Sequence, residues 1–288
     1  MKSHYSRVLV CVRRVCRLLA GMSVLLGLAW TSTYAAAAGE LVFGVYPYLS
    51  PNQIVEQFAP LSKHLGKALG RPVALRSAPS FAKFIERTQA GEYDIVFTAP
   101  HMGRLAEKRD NYRPLAQTGY PIVVVALVKQ DSPLKSLADL RDRSLAVGAK
   151  MSMSYQIVNQ ALGKNGLELG RNVNFVDTAS FSNVLEAVLR DEADVGATGT
   201  LLWESAAAAQ RAQLREIYRS PPVPGFLLLG HARNGTATLQ RMQAALIDFV
   251  RTPAGRDYFE KTRQIDFRPL DAATMKRIDP FTAGLDSP

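Results

Sequence analysis

From Glu40 onward, short apolar runs alternate with segments whose apolar residues return at helical spacing. Leu41 to Val45 reads as a buried strand. Pro51 to Leu69 follows as a helix, with Ile54, Val55, Phe58, Leu61, Leu65 and Leu69 on one stripe and Gly70-Arg71-Pro72 as its stop. Val73 to Ser77 is the next strand. Ser80 caps a helix from Phe81 to Ala90, and Gly91 ends it before the strand Asp94 to Thr98. Pro100 to Lys108 reads as a short helix and Pro121 to Val128 as a long apolar strand.

A second cycle follows: a helical turn at Ser136 to Leu140, strands at Ser144 to Val147, Val173 to Val176 and Val195 to Thr198, and helices at Ser154 to Lys164, Ser182 to Arg190 and Leu201 to Gln210. The last helix contains the alanine run Ala206 to Ala209, which suits a helix interior. Such alternation predicts α/β layers with mainly parallel strands. The last third differs: strands at Leu214 to Tyr218 and Phe226 to Gly230 are followed by helices from about Thr238 to Val250 and from Pro253 to Lys261, with no strands of their own. Those helices are expected to return over the first lobe. The spacing thus predicts two lobes, 39–124 with 223–288 and 125–222, joined near Tyr120 to Val128 and near Ser220 to Phe226. A cleft at such a junction is the default small-ligand site.

Charge narrows the picture. The chain has 288 residues and a formal net charge of +10. Segment 1–38 holds Lys2, Arg7, Arg13, Arg14 and Arg17 and no acid, leaving 30 bases against 25 acids and a net of +5 for the rest. Half of the excess is N-terminal, which argues against a nucleic-acid partner. The five bases precede an apolar run from Leu18 to Trp30 and the small residues Ala35 to Ala38, the layout of a cleavable signal peptide at 1–38 that would direct the chain to a periplasm. A retained anchor is the alternative, although the run is short for a bilayer. Both cysteines, Cys11 and Cys16, fall inside this segment, so the exported chain would hold no disulfide, thiolate metal site or cysteine nucleophile.

Catalytic motifs are missing. There is no G-x-S-x-G, H-E-x-x-H, Walker A or strand-linked G-x-G-x-x-G, and His64, His101 and His231 stand far apart without a metal-ligand interval. His64 reads as a surface residue. The expectation is a protein without turnover, cofactor or metal.

The informative segments are those where a strand gives way to a helix. Ala149-Lys150-Met151-Ser152-Met153-Ser154-Tyr155 opens the helix that reaches Lys164, and free N–H groups, the positive end of the helix dipole and two hydroxyls there make an anion cradle. The plain alternative is that Ser152 or Ser154 only caps the helix. Thr98-Ala99-Pro100-His101 repeats the arrangement, again with a simple Thr cap as the alternative. Tyr46 and Tyr48, flanking Pro47, either line the same end of the cleft or belong to the core.

Gly44-Val45-Tyr46-Pro47, Phe58-Ala59-Pro60-Leu61, Gly91-Glu92-Tyr93-Asp94-Ile95-Val96-Phe97, Asp131-Ser132-Pro133, Ala193-Asp194-Val195-Gly196-Ala197 and Thr252-Pro253-Ala254-Gly255 together resemble the phosphate/phosphite/phosphonate-binding family of ABC-transporter receptors. The resemblance implies a two-lobed type II periplasmic-binding-protein fold that closes on an oxyanion. The family's Ser-Thr-Ser loop looks like Ser152-Met153-Ser154, with Met at the central hydroxyl and Tyr155 at the usual glycine. The tyrosine after the third strand falls at His101 or Met102, the His or acid of the next helix around Phe181, and the expected aspartate near Thr200. Tyr46 or Tyr48 takes the place of the first aromatic contact. Without those carboxylates an aminoalkylphosphonate is disfavoured. The implied role is capture of phosphate, phosphite or an organophosphonate by a monomer that serves an ABC permease in the inner membrane. The alternative is a sensor subunit presenting the bound oxyanion to a membrane histidine kinase, and an enzyme on this fold is a third reading.

Overall fold

Ser50 starts the first helix by a capping box: its Oγ accepts the Gln53 N–H at 3.4 Å while Gln53 Oε1 accepts the Ser50 N–H at 3.1 Å. The computed structural model describes residues 39–178 and 183–282, so the expected signal segment and Phe181 lie outside the described residues. Helix α1, Pro51–Leu69, buries Ile54, Phe58, Leu61, Leu65 and Leu69 as the spacing predicts. Val55 is the exception at 58% exposed, on the edge of the stripe. Gly70, at φ 67, ends the helix in the left-handed conformation that costs a glycine little.

Three strands, β1 (Leu41–Val45), β2 (Val73–Arg76) and β3 (Ile95–Thr98), run parallel beside one another, with α2 (Phe81–Gln89) leading into β3 and α3 (Pro100–Arg109) leaving it. Strand β4 (Tyr112–Thr118), which the sequence reading left unassigned, joins the same sheet. Its pattern is broken by Pro114, and pairing with β10 (Leu227–His231) shifts register beside that proline. A bulge tolerates the missing donor there. The short β11 (Phe267–Pro269) completes the order β11-β4-β10-β3-β1-β2.

The second sheet has the order β7-β6-β8-β5-β9, from β5 (Val124–Lys129), β6 (Ser144–Gly148), β7 (Asn174–Thr178), β8 (Val195–Gly199) and β9 (Leu214–Arg219). The expectation of mainly parallel strands is corrected: β6 runs parallel to β7 and β8, but β5 pairs antiparallel with β8 and β9, and β10 runs against β3 and β4. The chain leaves one sheet through β4 into β5 and returns through β9 into β10, so the crossing strands enter against their neighbours. Helices α4 (Met153–Gly163) and α5 (Asn183–Leu189) flank this sheet. The expected helix at Leu201 to Gln210 is two pieces, α6 (Thr200–Ser205) and α7 (Ala208–Arg211), with Ala206 and Ala207 extended at ψ 150 and 143. Alanine's helix preference is a weak prior, and here the Trp203 indole, bonded to Glu216 at 3.0 Å and packed near Leu214, holds the first piece on the sheet.

Helices α8 (Thr236–Asp248) and α9 (Pro253–Thr262) lie with α1 over the first sheet, around the fully buried Phe249. His64, expected at the surface, is half-buried here, with Nε2 2.9 Å from the Ala245 carbonyl and its ring 5.2 Å from Phe249.

The two crossings run side by side. Ile122 and Val223 exchange backbone bonds at 3.0 Å each, and Ser220 Oγ accepts the Val124 N–H at 3.0 Å. Gly225 is required by this closeness, because a Cβ there would lie 2.5 Å from the Thr118 carbonyl and 2.6 Å from that of Tyr120. A third connection is made by the C-terminal segment. Met275 and Ile278, in or beside α10 (Ala272–Lys276), join an apolar cluster of the first sheet, while Phe281 joins that of the second. Between them Asp279 takes the Arg104 and Lys108 side chains of α3 at 2.7 Å each, and these cations hold its carboxyl below the usual carboxylate range. No described helix is long and apolar enough to cross a membrane.

Candidate functional site

The helix starts that follow β3 and β6 meet, His101 beside the Met151 carbonyl, and several strand ends here carry hydroxyls. Strand β6 ends at Gly148, paired in register with Thr178 at the end of β7, while Thr198 lies one residue from the end of β8. Chain then turns through Ala149 to Ser152 into α4. Ser152 is fully buried and caps the helix, its Oγ accepting the Tyr155 N–H at 3.1 Å. One of the two serines is therefore spent on capping. Ser154, in the first turn and buried, makes no hydrogen bond to a described residue through its Oγ. The Met153 and Ser154 N–H groups have no carbonyl partner within the helix, as at any helix start.

From the first lobe, α3 brings His101 to the same place. The ring is fully buried, and Nε2 lies 3.0 Å from the Met151 carbonyl, so the residue before the Ser152 cap is tied to the other lobe. Burial pulls the His101 ring down to about 4, an effect opposed by the bond to Met151. The Met151 side chain packs against a cluster that includes Tyr46, Tyr48, Phe81 and Phe226. Tyr46 stacks on Phe81 at 4.7 Å and on Tyr48 at 5.8 Å, and Tyr48 lies 5.2 Å from Phe226. Burial pushes both tyrosine hydroxyls above their ordinary range, so they stay protonated donors. Lys150, the cation next to the loop, lies away over the Phe175 ring at 5.9 Å.

Several sequence candidates thus converge: Ser152, Ser154 and His101 around the start of α4, with Tyr46 and Tyr48 behind Met151. Others turn elsewhere. Met153 and Tyr155 pack into the second core, where the Tyr155 ring stands edge-on to Phe175 at 5.3 Å and its hydroxyl donates to the Leu169 carbonyl at 3.5 Å. Thr200 opens α6 beside the crossing, with its N–H on the Val123 carbonyl and Oγ1 3.5 Å from the Tyr120 hydroxyl. Phe181 is outside the described residues.

Thr98, Thr178 and Thr198 share one property: each is buried and its Oγ1 has no hydrogen-bond partner. Buried polar atoms without partners are rare, and a polar ligand is one way to satisfy them; Thr118 and Gln264 carry such atoms elsewhere in the fold. Thr178 and Thr198 were not singled out in the sequence. Their signal was present, a hydroxyl closing an apolar strand just before a helix, as at Thr98. Donors at strand ends together with a helix N-terminus form a cradle for negatively charged oxygens.

The chain matches a family model described as ABC transporter, phosphonate, periplasmic substrate-binding protein, over residues 43–275. Among curated proteins none matches by sequence. Similar solved structures include XAC2383 from Xanthomonas citri bound to ATP, with 23% identity and a TM-score of 0.76, covering 86% of this chain and 97% of that one. PhnD1 from Prochlorococcus marinus in complex with methylphosphonate has 17% identity and a TM-score of 0.73, covering 86% and 98%. A binding protein component of an ABC phosphonate transporter from Pseudomonas aeruginosa has 20% identity and a TM-score of 0.70, covering 84% and 85%. With the model match spanning most of its length and the same two-sheet architecture in these neighbours, the chain belongs to the periplasmic substrate-binding proteins of the phosphonate ABC-transporter family.

Proposed function

We propose that the chain captures a phosphorus oxyanion, namely phosphate, phosphite or an organophosphonate, between its lobes and presents it to an ABC permease in the inner membrane. The observation that carries this reading is the start of α4. Ser152 caps the helix, so Ser154 Oγ and the first-turn N–H groups remain as donors at the start of α4. The ligand's charge is met by neutral donors and the helix dipole. A hydrogen bond to a charged group contributes about 1.5–3 kcal/mol, against about 0.3–1 for a helix end, so the hydroxyl dominates what mutation can remove. The lobes bounded at 39–124 with 223–288 and at 125–222 close about hinges near Tyr120 to Val128 and Ser220 to Phe226, after export on the 1–38 signal.

The two serines give the test. Ser154→Ala is expected to weaken methylphosphonate binding by about tenfold or more with stability nearly unchanged. Ser152→Ala is expected to lower stability by about 1 kcal/mol through loss of the cap. Calorimetric titration and denaturant melts on both variants check the pair; unchanged affinity in Ser154→Ala would reject the site.

A further inference from the structure

His101 carries chemistry that an anion cradle alone does not need. Its Nε2 faces a carbonyl oxygen, which only accepts, so Nε2 holds the ring's hydrogen. Burial keeps the ring neutral at physiological pH, and Nδ1 is then a lone-pair acceptor. That Nδ1 is buried and has no hydrogen-bond partner. It belongs to the ring that reaches across to Met151, one residue before the cap of α4, so this acceptor stands at the same junction as the donors of Ser154 and the helix start.

Donors bind any oxyanion, whereas an acceptor asks for a proton. A phosphonate, phosphite or phosphate monoanion carries a hydroxyl beside its charged oxygens. A sulfonate or sulfate at neutral pH has only acceptors. Resting on the oxyanion-receptor reading above, we propose that His101 Nδ1 accepts a hydrogen bond from a protonated ligand oxygen and so selects phosphorus oxyanions over sulfur oxyanions of the same shape. A sulfonate must either set its lone pairs against Nδ1 or bring a charge onto a ring whose burial opposes it. Selectivity of this kind comes from the group left unpaired with the wrong ligand.

The test compares methylphosphonate with methanesulfonate by calorimetry at neutral pH on the purified protein. The expected result is phosphonate binding at least about tenfold tighter. In His101→Phe a ring of similar size remains but Nδ1 is gone, and the ratio is expected to fall to within about threefold. Nitrogen NMR of the unmodified protein gives an independent reading: the Nδ1 resonance moves upfield with methylphosphonate and stays in place with methanesulfonate. Equal binding of the two ligands, a ratio unchanged in His101→Phe, or an unmoved Nδ1 resonance would overturn the role of His101 and leave the receptor reading standing. Failure of methylphosphonate, phosphite and phosphate alike to bind the unmodified protein would overturn the receptor reading, and this role with it.

Discussion

Aspartate in place of Ser154 is expected to weaken methylphosphonate binding at least about a hundredfold, which is roughly 2.7 kcal/mol, while leaving the fold standing. Ser154 sits in the first turn of α4, where unpaired N–H groups and the helix dipole favour a carboxylate by about 0.3–1 kcal/mol, set against the cost of burying one. The same carboxylate takes up the donors proposed for the ligand and repels its charge at short range. Titration calorimetry measures the first effect and denaturant melts the second. A variant that is stable and still binds with the original affinity would place the anion away from α4.

The second large effect concerns the core that holds the first lobe together. Phe249→Ala is expected to cost about 3–5 kcal/mol, because Phe249 is fully buried and its ring meets Tyr258 at 5.7 Å, Phe259 at 6.1 Å and Phe267 at 6.4 Å. It ties α8 and α9 to the sheet, so the vacated space opens between elements brought together from distant parts of the chain. At about 2–4 °C per kcal/mol for a chain of this size, the melting temperature should fall by roughly 6–20 °C. Thermal unfolding followed by circular dichroism reads this directly. A fall of no more than about 2 °C would contradict the packing described for these helices.

The elements most legible in the sequence were those whose signals are local. Gly70 as a stop and the apolar stripe of α1 both lie within one helix, and they placed it to the residue. The start of α4 was legible for the same reason, although which serine capped it was not. That depended on the Ser152 side chain reaching the Tyr155 N–H rather than on composition. Long-range pairing was less visible. Strand β4 is interrupted by Pro114, and β11 is three residues long, so neither carried a pattern strong enough to read before its partners were known. The break between α6 and α7 ran against a run of alanines, where side-chain contacts at Trp203 outweighed intrinsic preference.

The candidate site divided in the same way. His101 and Ser154 were visible as residues at strand-to-helix turns, but their relation, one lobe bonded to the loop of the other through Met151, belongs to the tertiary structure. Tyr155 looked like a replacement for a glycine in the loop. Its ring instead packs against Phe175 in the second core, a contact set by the helix direction. Thr178 and Thr198 gained meaning only when β7, β6 and β8 were seen to lie side by side, which brings two unpartnered hydroxyls around Gly148.

The central claim is that a phosphorus oxyanion is held at the start of α4 by neutral donors of the second lobe, with His101 of the first lobe accepting a hydrogen bond from its hydroxyl. A crystal structure of the purified protein grown with methylphosphonate tests it most directly. The account predicts the phosphonate group with oxygens within hydrogen-bond distance, about 2.5–3.2 Å, of Ser154 Oγ and the first N–H groups of α4, and with one oxygen at His101 Nδ1. A phosphonate bound elsewhere on the chain, with Ser154 and His101 untouched, would contradict it.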